Sequence, residues 1–132
     1  DHPHAARPRM SLRILIVEDE FLIALDLQDQ VEGLGHSVTG LARDLESCRS
    51  AAEERRPDLA LMDLRLANGS SGIDASRWLY DEMGVRCIFI SGNLDEETRK
   101  GLLPVEPLAF LGKPILDHQL KRELSRLVPG KG

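Results

Sequence analysis

Four short apolar runs recur along the chain, and each breaks off at polar residues. Arg13-Ile14-Leu15-Ile16-Val17 runs into Glu18 and Asp19, and Leu59-Ala60-Leu61-Met62 ends on Asp63. Cys87-Ile88-Phe89-Ile90 leads into Ser91 and Gly92; Leu108-Ala109-Phe110-Leu111 passes through Gly112 into Lys113 and Pro114. Runs of this length without alternation predict strands buried on both faces. His36 to Ala42, interrupted by Gly40, is a fifth and shorter strand candidate.

Helical periodicity fills the intervals. After Phe21-Leu22-Ile23-Ala24-Leu25, apolar positions fall at Leu27, Val31 and Leu34 with acidic and amide residues off the stripe, and Gly35 supplies a C-terminal stop. Asp44 is placed to cap a helix running to about Arg56, which Pro57 ends. Ala67 to Gly72 reads as polar and flexible, and Ile73 to Met83 resumes a helix on Ala75, Leu79 and Met83, with Trp78 beside them and Gly84 as its stop. Asp95 caps a short helix to about Leu103, weakened by Gly101 and Pro104. Pro114 suits the start of a last helix lined by Leu116, Leu120, Leu124 and Leu127 and ended by Pro129-Gly130.

Strand and helix thus alternate five times with no hairpin signal, the pattern of an α/β fold: a doubly wound parallel sheet with helices on both faces. Right-handed crossovers gather the C-terminal strand ends at one edge, where such folds bind ligands. Burying an unpaired carboxylate costs several kcal/mol, so Asp63 belongs at that mouth.

Composition narrows the class. The chain has 132 residues, enough for one domain over about residues 12–128, with 42% hydrophobic and 30% charged residues. A net charge of -5 argues against direct nucleic-acid binding. No apolar run approaches a membrane span, so no membrane association and a cytoplasmic location are expected. Residues 1–11 read as a disordered arm or a cloning remnant, its His2 and His4 as tag or tail residues, and 129–132 as a C-terminal tail. Cys48 and Cys87 share no motif spacing and read as core residues rather than a disulfide or metal pair.

The strand ends carry the chemistry. Glu18, Asp19 and Asp63 would converge at one rim, where each like-charged pair about 5 Å apart costs roughly 3 kcal/mol. A fold tolerates that when a cation compensates, and an all-oxygen, partly hydrated site suits Mg²⁺ rather than Zn²⁺. Lys113 adds a fixed positive charge and Ser91 a hydroxyl.

This ordered set is similar to the receiver domain of bacterial response regulators in two-component signalling: acidic pair, Asp, Ser, then Lys-Pro at successive strand ends. The likeness covers about Leu12 to Val128 and implies a flavodoxin-like, five-stranded sheet in the order 2-1-3-4-5. It implies Asp63 as phosphoacceptor, and Mg²⁺ held by Glu18, Asp19, Asp63 and the backbone carbonyl of Arg65. Ser91 and Lys113 would contact the phosphoryl group. Ser91 and Phe110 would form the switch, with output through the fourth helix, fifth strand and fifth helix. The implied partners are a sensor histidine kinase or phosphotransfer protein and a downstream protein, with phosphorylation-driven dimerisation left open. The chain would accept a phosphoryl group and assist its own phosphorylation and dephosphorylation, without turning over external substrates.

Several positions depart from the family pattern. Ala67 stands where Pro is common, Gly72 comes one residue late, Glu18 replaces a frequent Asp, and bulky Arg65 overhangs the site. Phe89-Ile90-Ser91-Gly92 resembles the receiver subfamily named for its Phe-Ala-Thr-Gly run, often single-domain. No output domain fits this length, so the chain would act alone or be the receiver of a longer regulator. Two other functions compete: a pseudo-receiver that only binds protein, and an Asp-nucleophile phosphatase. The phosphatase needs a second Asp where Arg65 stands. Flavin or nucleotide binding lacks a phosphate loop after the first strand.

Overall fold

The alternation of strand and helix is met by helices packed on both sides of one sheet. The computed structural model describes residues 11–128. Its elements are β1 (Arg13–Val17), α1 (Phe21–Gly33), β2 (Ser37–Ala42), α2 (Leu45–Glu54), β3 (Leu59–Asp63), α3 (Gly72–Met83), β4 (Arg86–Ser91), α4 (Glu96–Leu102), a 3₁₀ turn (Leu103–Val105), β5 (Ala109–Gly112) and α5 (Asp117–Leu127). The strands are all parallel in the order β2-β1-β3-β4-β5. This is the expected doubly wound, flavodoxin-like topology. Almost all of the predicted arm, His2 and His4 included, and the tail from Pro129 lie outside the described residues.

Successive residues of the central strands feed two cores. Leu15, Val17, Ala60, Met62, Cys87 and Phe89 pack with Cys48 and Ala52 of α2, Ala75 and Leu79 of α3, and Leu102 of α4. Ile14, Ile16, Leu59, Leu61, Ile88 and Ile90 face Ala24, Leu27 and Val31 of α1 and Leu120 and Leu124 of α5. An uninterrupted apolar run is therefore required, because neither face of β1, β3 or β4 meets water. Cys48 and Cys87 are free and buried, and burial pushes the Cys48 thiol up to about 12. Among the described residues no helix is long and apolar enough to cross a membrane.

Most helix ends follow the sequence signals. Asp44 accepts from the Ser47 amide at 2.8 Å to start α2, and Asp95 does the same for Thr98 in α4. Gly84, at φ 66, ends α3 in the left-handed conformation.

Two expectations fail locally. Pro114 does not open the last helix, which begins three residues later. The Lys113 amide still donates to the Ser91 carbonyl at 3.0 Å, and Leu116 is extended, so the chain is leaving the sheet when it reaches Pro114. Leu116 accordingly lies ahead of α5 and is exposed. The polar loop after Asp63 is pinned rather than loose: Arg65 bridges to Ser71, and the Gly72 amide donates to the Leu64 carbonyl at 3.0 Å.

Candidate functional site

The C-terminal ends of β1, β3, β4 and β5 meet at one cleft of about 510 Å³, lined by Asp19, Glu20, Asp63, Arg65, Ser91, Gly92, Asn93 and Lys113. β1 delivers Glu18 beside Asp63, and the Glu18 amide continues the ladder to the Ala42 carbonyl at 2.8 Å. β3 delivers Asp63. Both are buried, at 3% and 4% exposure, while Asp19 stands nearer solvent. One carboxylate oxygen from each of the three lies within 4.8 Å of the others.

Lys113 spans the two buried acids. Its ammonium is 3.0 Å from Asp63 Oδ2 and 3.2 Å from Glu18 Oε1. Burial works to lower the lysine pKa, but pairing with Asp63 and Glu18 outweighs it and the net shift is upward. Glu18 rises to about 7, first through burial, then through the neighbouring Asp63 carboxylate and its negative charge. The Glu20 amide, donating to Glu18 Oε2 at 3.2 Å, and the lysine charge pull the other way. On the open side, the Arg65 amide donates to Asp63 Oδ1 at 3.1 Å, and the exposed Arg65 lines the cleft.

A divalent cation fits this donor set. Glu18 Oε1 is buried and, although Lys113 neutralises it, makes no hydrogen bond. The converging ligand atoms are all carboxylate oxygens, the preference of hard ions such as Mg²⁺.

Ser91, at the end of β4, turns its hydroxyl to its own loop: it accepts from the Asn93 amide at 3.0 Å and donates to the Asn93 carbonyl at 3.4 Å. Phe110 is half-buried in β5, its ring stacked on Phe89 with centroids 5.7 Å apart. The Arg99 guanidinium covers the same ring at 4.9 Å from its centroid.

Glu18, Asp19, Asp63, Arg65, Ser91 and Lys113 are thus brought together, and Phe110 stands aside on β5. Sequence reasoning passed over Asn93, which holds the Ser91 hydroxyl, and Arg99. Asn93 lies two residues from Ser91 and could have been suspected as a turn residue. Arg99 left no pattern to read, because only the packing of α4 over β5 brings it to the ring. The Lys113-Pro114 peptide bond is cis.

An acidic rim and a lysine at the C-terminal edge of a 2-1-3-4-5 sheet define a flavodoxin-like α/β module with an aspartate-centred site. The response regulator receiver domain matches residues 14–125, and the chain belongs to that family, whose members serve two-component signalling rather than substrate turnover. The chain is similar to the phyllosphere-induced regulator PhyR of Methylorubrum extorquens, 47% identical over 118 residues that cover 89% of this chain and 43% of the relative. The receiver domain of the Erythrobacter litoralis PhyR response regulator superposes with a TM-score of 0.79 at 34% identity, covering 92% of this chain and 95% of that one. PhyR from Bartonella quintana, described as an anti-anti-sigma factor, gives 0.74 at 34% identity, covering 89% and 47%. The chain spans less than half the length of the Methylorubrum and Bartonella proteins.

Proposed function

We propose that this chain is a phosphoryl-accepting signalling switch whose acceptor is Asp63. The observation that carries the reading is the Lys113 ammonium held 3.0 Å from Asp63 Oδ2 inside a cleft of converging acids. Phosphoryl transfer asks for positioning and charge compensation more than for covalent machinery. The donor is a phosphohistidine on a sensor histidine kinase or phosphotransfer protein. An Asp63 oxygen attacks phosphorus, the P–N bond breaks, and its electron pair returns to the imidazole nitrogen. Asp63 becomes an acyl phosphate.

Each neighbour has a task. Lys113 balances charge on the phosphoryl oxygens. Glu18, Asp19, Asp63 and the Arg65 backbone carbonyl would hold Mg²⁺, which when bound neutralises further oxygen charge. Ser91 exchanges its Asn93 partners for a phosphoryl oxygen and draws the β4–α4 loop inward. That shift gives Phe110 room to turn from half-buried to buried, and the face of α4, β5 and α5 changes shape for a downstream protein. The Bartonella relative described as an anti-anti-sigma factor supports a target in sigma-factor control. A cytoplasmic setting follows from the kinase as donor.

Incubation with Mg²⁺ and acetyl phosphate, followed by intact-protein mass spectrometry, tests this. The expected result is a gain of one phosphoryl group that vanishes in Asp63→Asn. No gain would favour a pseudo-receiver, and steady release of phosphate would favour an Asp-nucleophile phosphatase.

A further inference from the structure

The loop joining Asp63 to α3 contains little that would stiffen it alone. Asn68 and Gly69 turn through the left-handed region at φ 59 and 71. Its tip is instead fastened to the start of α2. The Ala67 amide donates to the Arg43 carbonyl at 3.0 Å. Asn68 Nδ2 donates to Asp44 Oδ2 at 2.8 Å, and Ser70 Oγ accepts from the Leu45 amide at 3.1 Å. Three loop residues therefore meet three consecutive residues of another segment.

These contacts are not surplus helix capping. Asp44 Oδ1 already takes the Ser47 amide at 2.8 Å and the Ser47 hydroxyl at 2.6 Å, so Oδ2 is left to Asn68. Leu45 heads α2, where an amide has no partner within the helix, and Ser70 provides one from across the chain. At the other end, the base of the loop is tied to the aspartate. Arg65 bridges to Ser71 and gives its amide to Asp63 Oδ1, and Gly72 closes on the Leu64 carbonyl. Arg65 lies between an anchored base and a clasped tip.

From this we infer that Asn68 and Ser70 are positioning residues: by clasping Asp44 and Leu45 they set where Arg65 stands beside Asp63. The inference rests on the reading of Asp63 as phosphoacceptor. Without the clasp the tip opens locally, Arg65 loses its fixed place, and access of water to the acyl phosphate changes.

A partner swap tests it. In Asn68→Asp two carboxylates face one another, whereas adding Asp44→Asn restores a donor and an acceptor with the direction reversed. Asn caps helices as well as Asp, so α2 keeps its start. The single variant is expected to exchange the Ala67 and Arg65 amides about tenfold faster than wild type, the effect of losing one net hydrogen bond. It should also shift the lifetime of the acetyl-phosphate-loaded protein several-fold. The double variant should return both values toward wild type, which a merely structural lesion would not do. Faster exchange at Ala67 with Arg65 unmoved would overturn the inference, as would an unchanged lifetime in the loaded single variant or a swap that restores nothing. Amide exchange needs no phosphoryl donor, so it judges the clasp even if wild type gains no phosphoryl group, a result that would sink the acceptor role instead.

Discussion

Gly72 backs directly onto the main chain at Asp63: a Cβ there would overlap the Asp63 carbonyl oxygen and stand 2.7 Å from Leu64 Cα. The first residue of α3 thus fixes the backbone that carries Asp63. The loop that leads to it is stitched at Arg65 and Ser71.

Gly72→Ala should therefore be among the costliest single-methyl additions in the protein. The obstacle is backbone that cannot swing aside, and overpacking of this kind costs about 3 kcal/mol. The urea midpoint should fall accordingly, and an unchanged midpoint would mean that α3 shifts freely.

Lys113→Met leaves the buried carboxylates of Glu18 and Asp63 facing each other without their cation. Breaking buried pairs costs several kcal/mol, but the Lys113 side chain keeps 25% exposure, so about 2 kcal/mol is expected. Mg²⁺ binding to the folded state should raise the melting temperature of wild type and raise that of the variant further. Melting curves that ignore Mg²⁺ in both would show that the acids hold no cation.

Arg65 is exposed at the lip of the cleft and touches Asp63 through its amide, which Arg65→Ala retains. On the proposed reading of Asp63 as acceptor, the variant should take a phosphoryl group yet lose it at a different rate, because the side chain would govern water access. Equal dephosphorylation rates would reject this role.

Ser91→Ala should separate acceptance from signalling. Asp63 and Lys113 remain paired, so the mass gain persists, but no hydroxyl is left to leave Asn93 for the phosphoryl group. The ring signals of Phe110, stacked on Phe89 and covered by Arg99, should then stay unchanged on phosphorylation. Signals that move as in wild type would remove Ser91 from the switch.

His36 sets a pH response away from the site. Its Nδ1 accepts from the Leu12 amide at 3.0 Å, which needs the unprotonated ring, and burial lowers its pKa from 6.5. The unfolded chain takes up the proton first, so this contribution is complete above about pH 6.5 and is lost as pH falls through the folded value. His36→Asn, which keeps an acceptor without a proton site, should show a smaller loss of stability between about pH 7.5 and about pH 5.5. Identical losses would show that His36 does not contribute.

The strands and their chemistry were legible in one dimension. β1, β3 and β4 are sandwiched between helices, so every residue from Ile14 to Val17 or Leu59 to Met62 must be apolar, and the first carboxylate marks the sheet's edge. That rule pointed to Glu18, Asp19 and Asp63, and the polar residues that end the β4 and β5 runs pointed to Ser91 and Lys113. What only the tertiary structure decided are the contacts made between crossovers. The hold of Asn68 on Asp44 and of Ser70 on Leu45, the cover of Arg99 over Phe110, and the delay of α5 past Pro114 belong here. A hydrophobic pattern records which side of an element is buried. It carries no record of how far each helix slides along the sheet before it packs, and these partners are chosen by that distance.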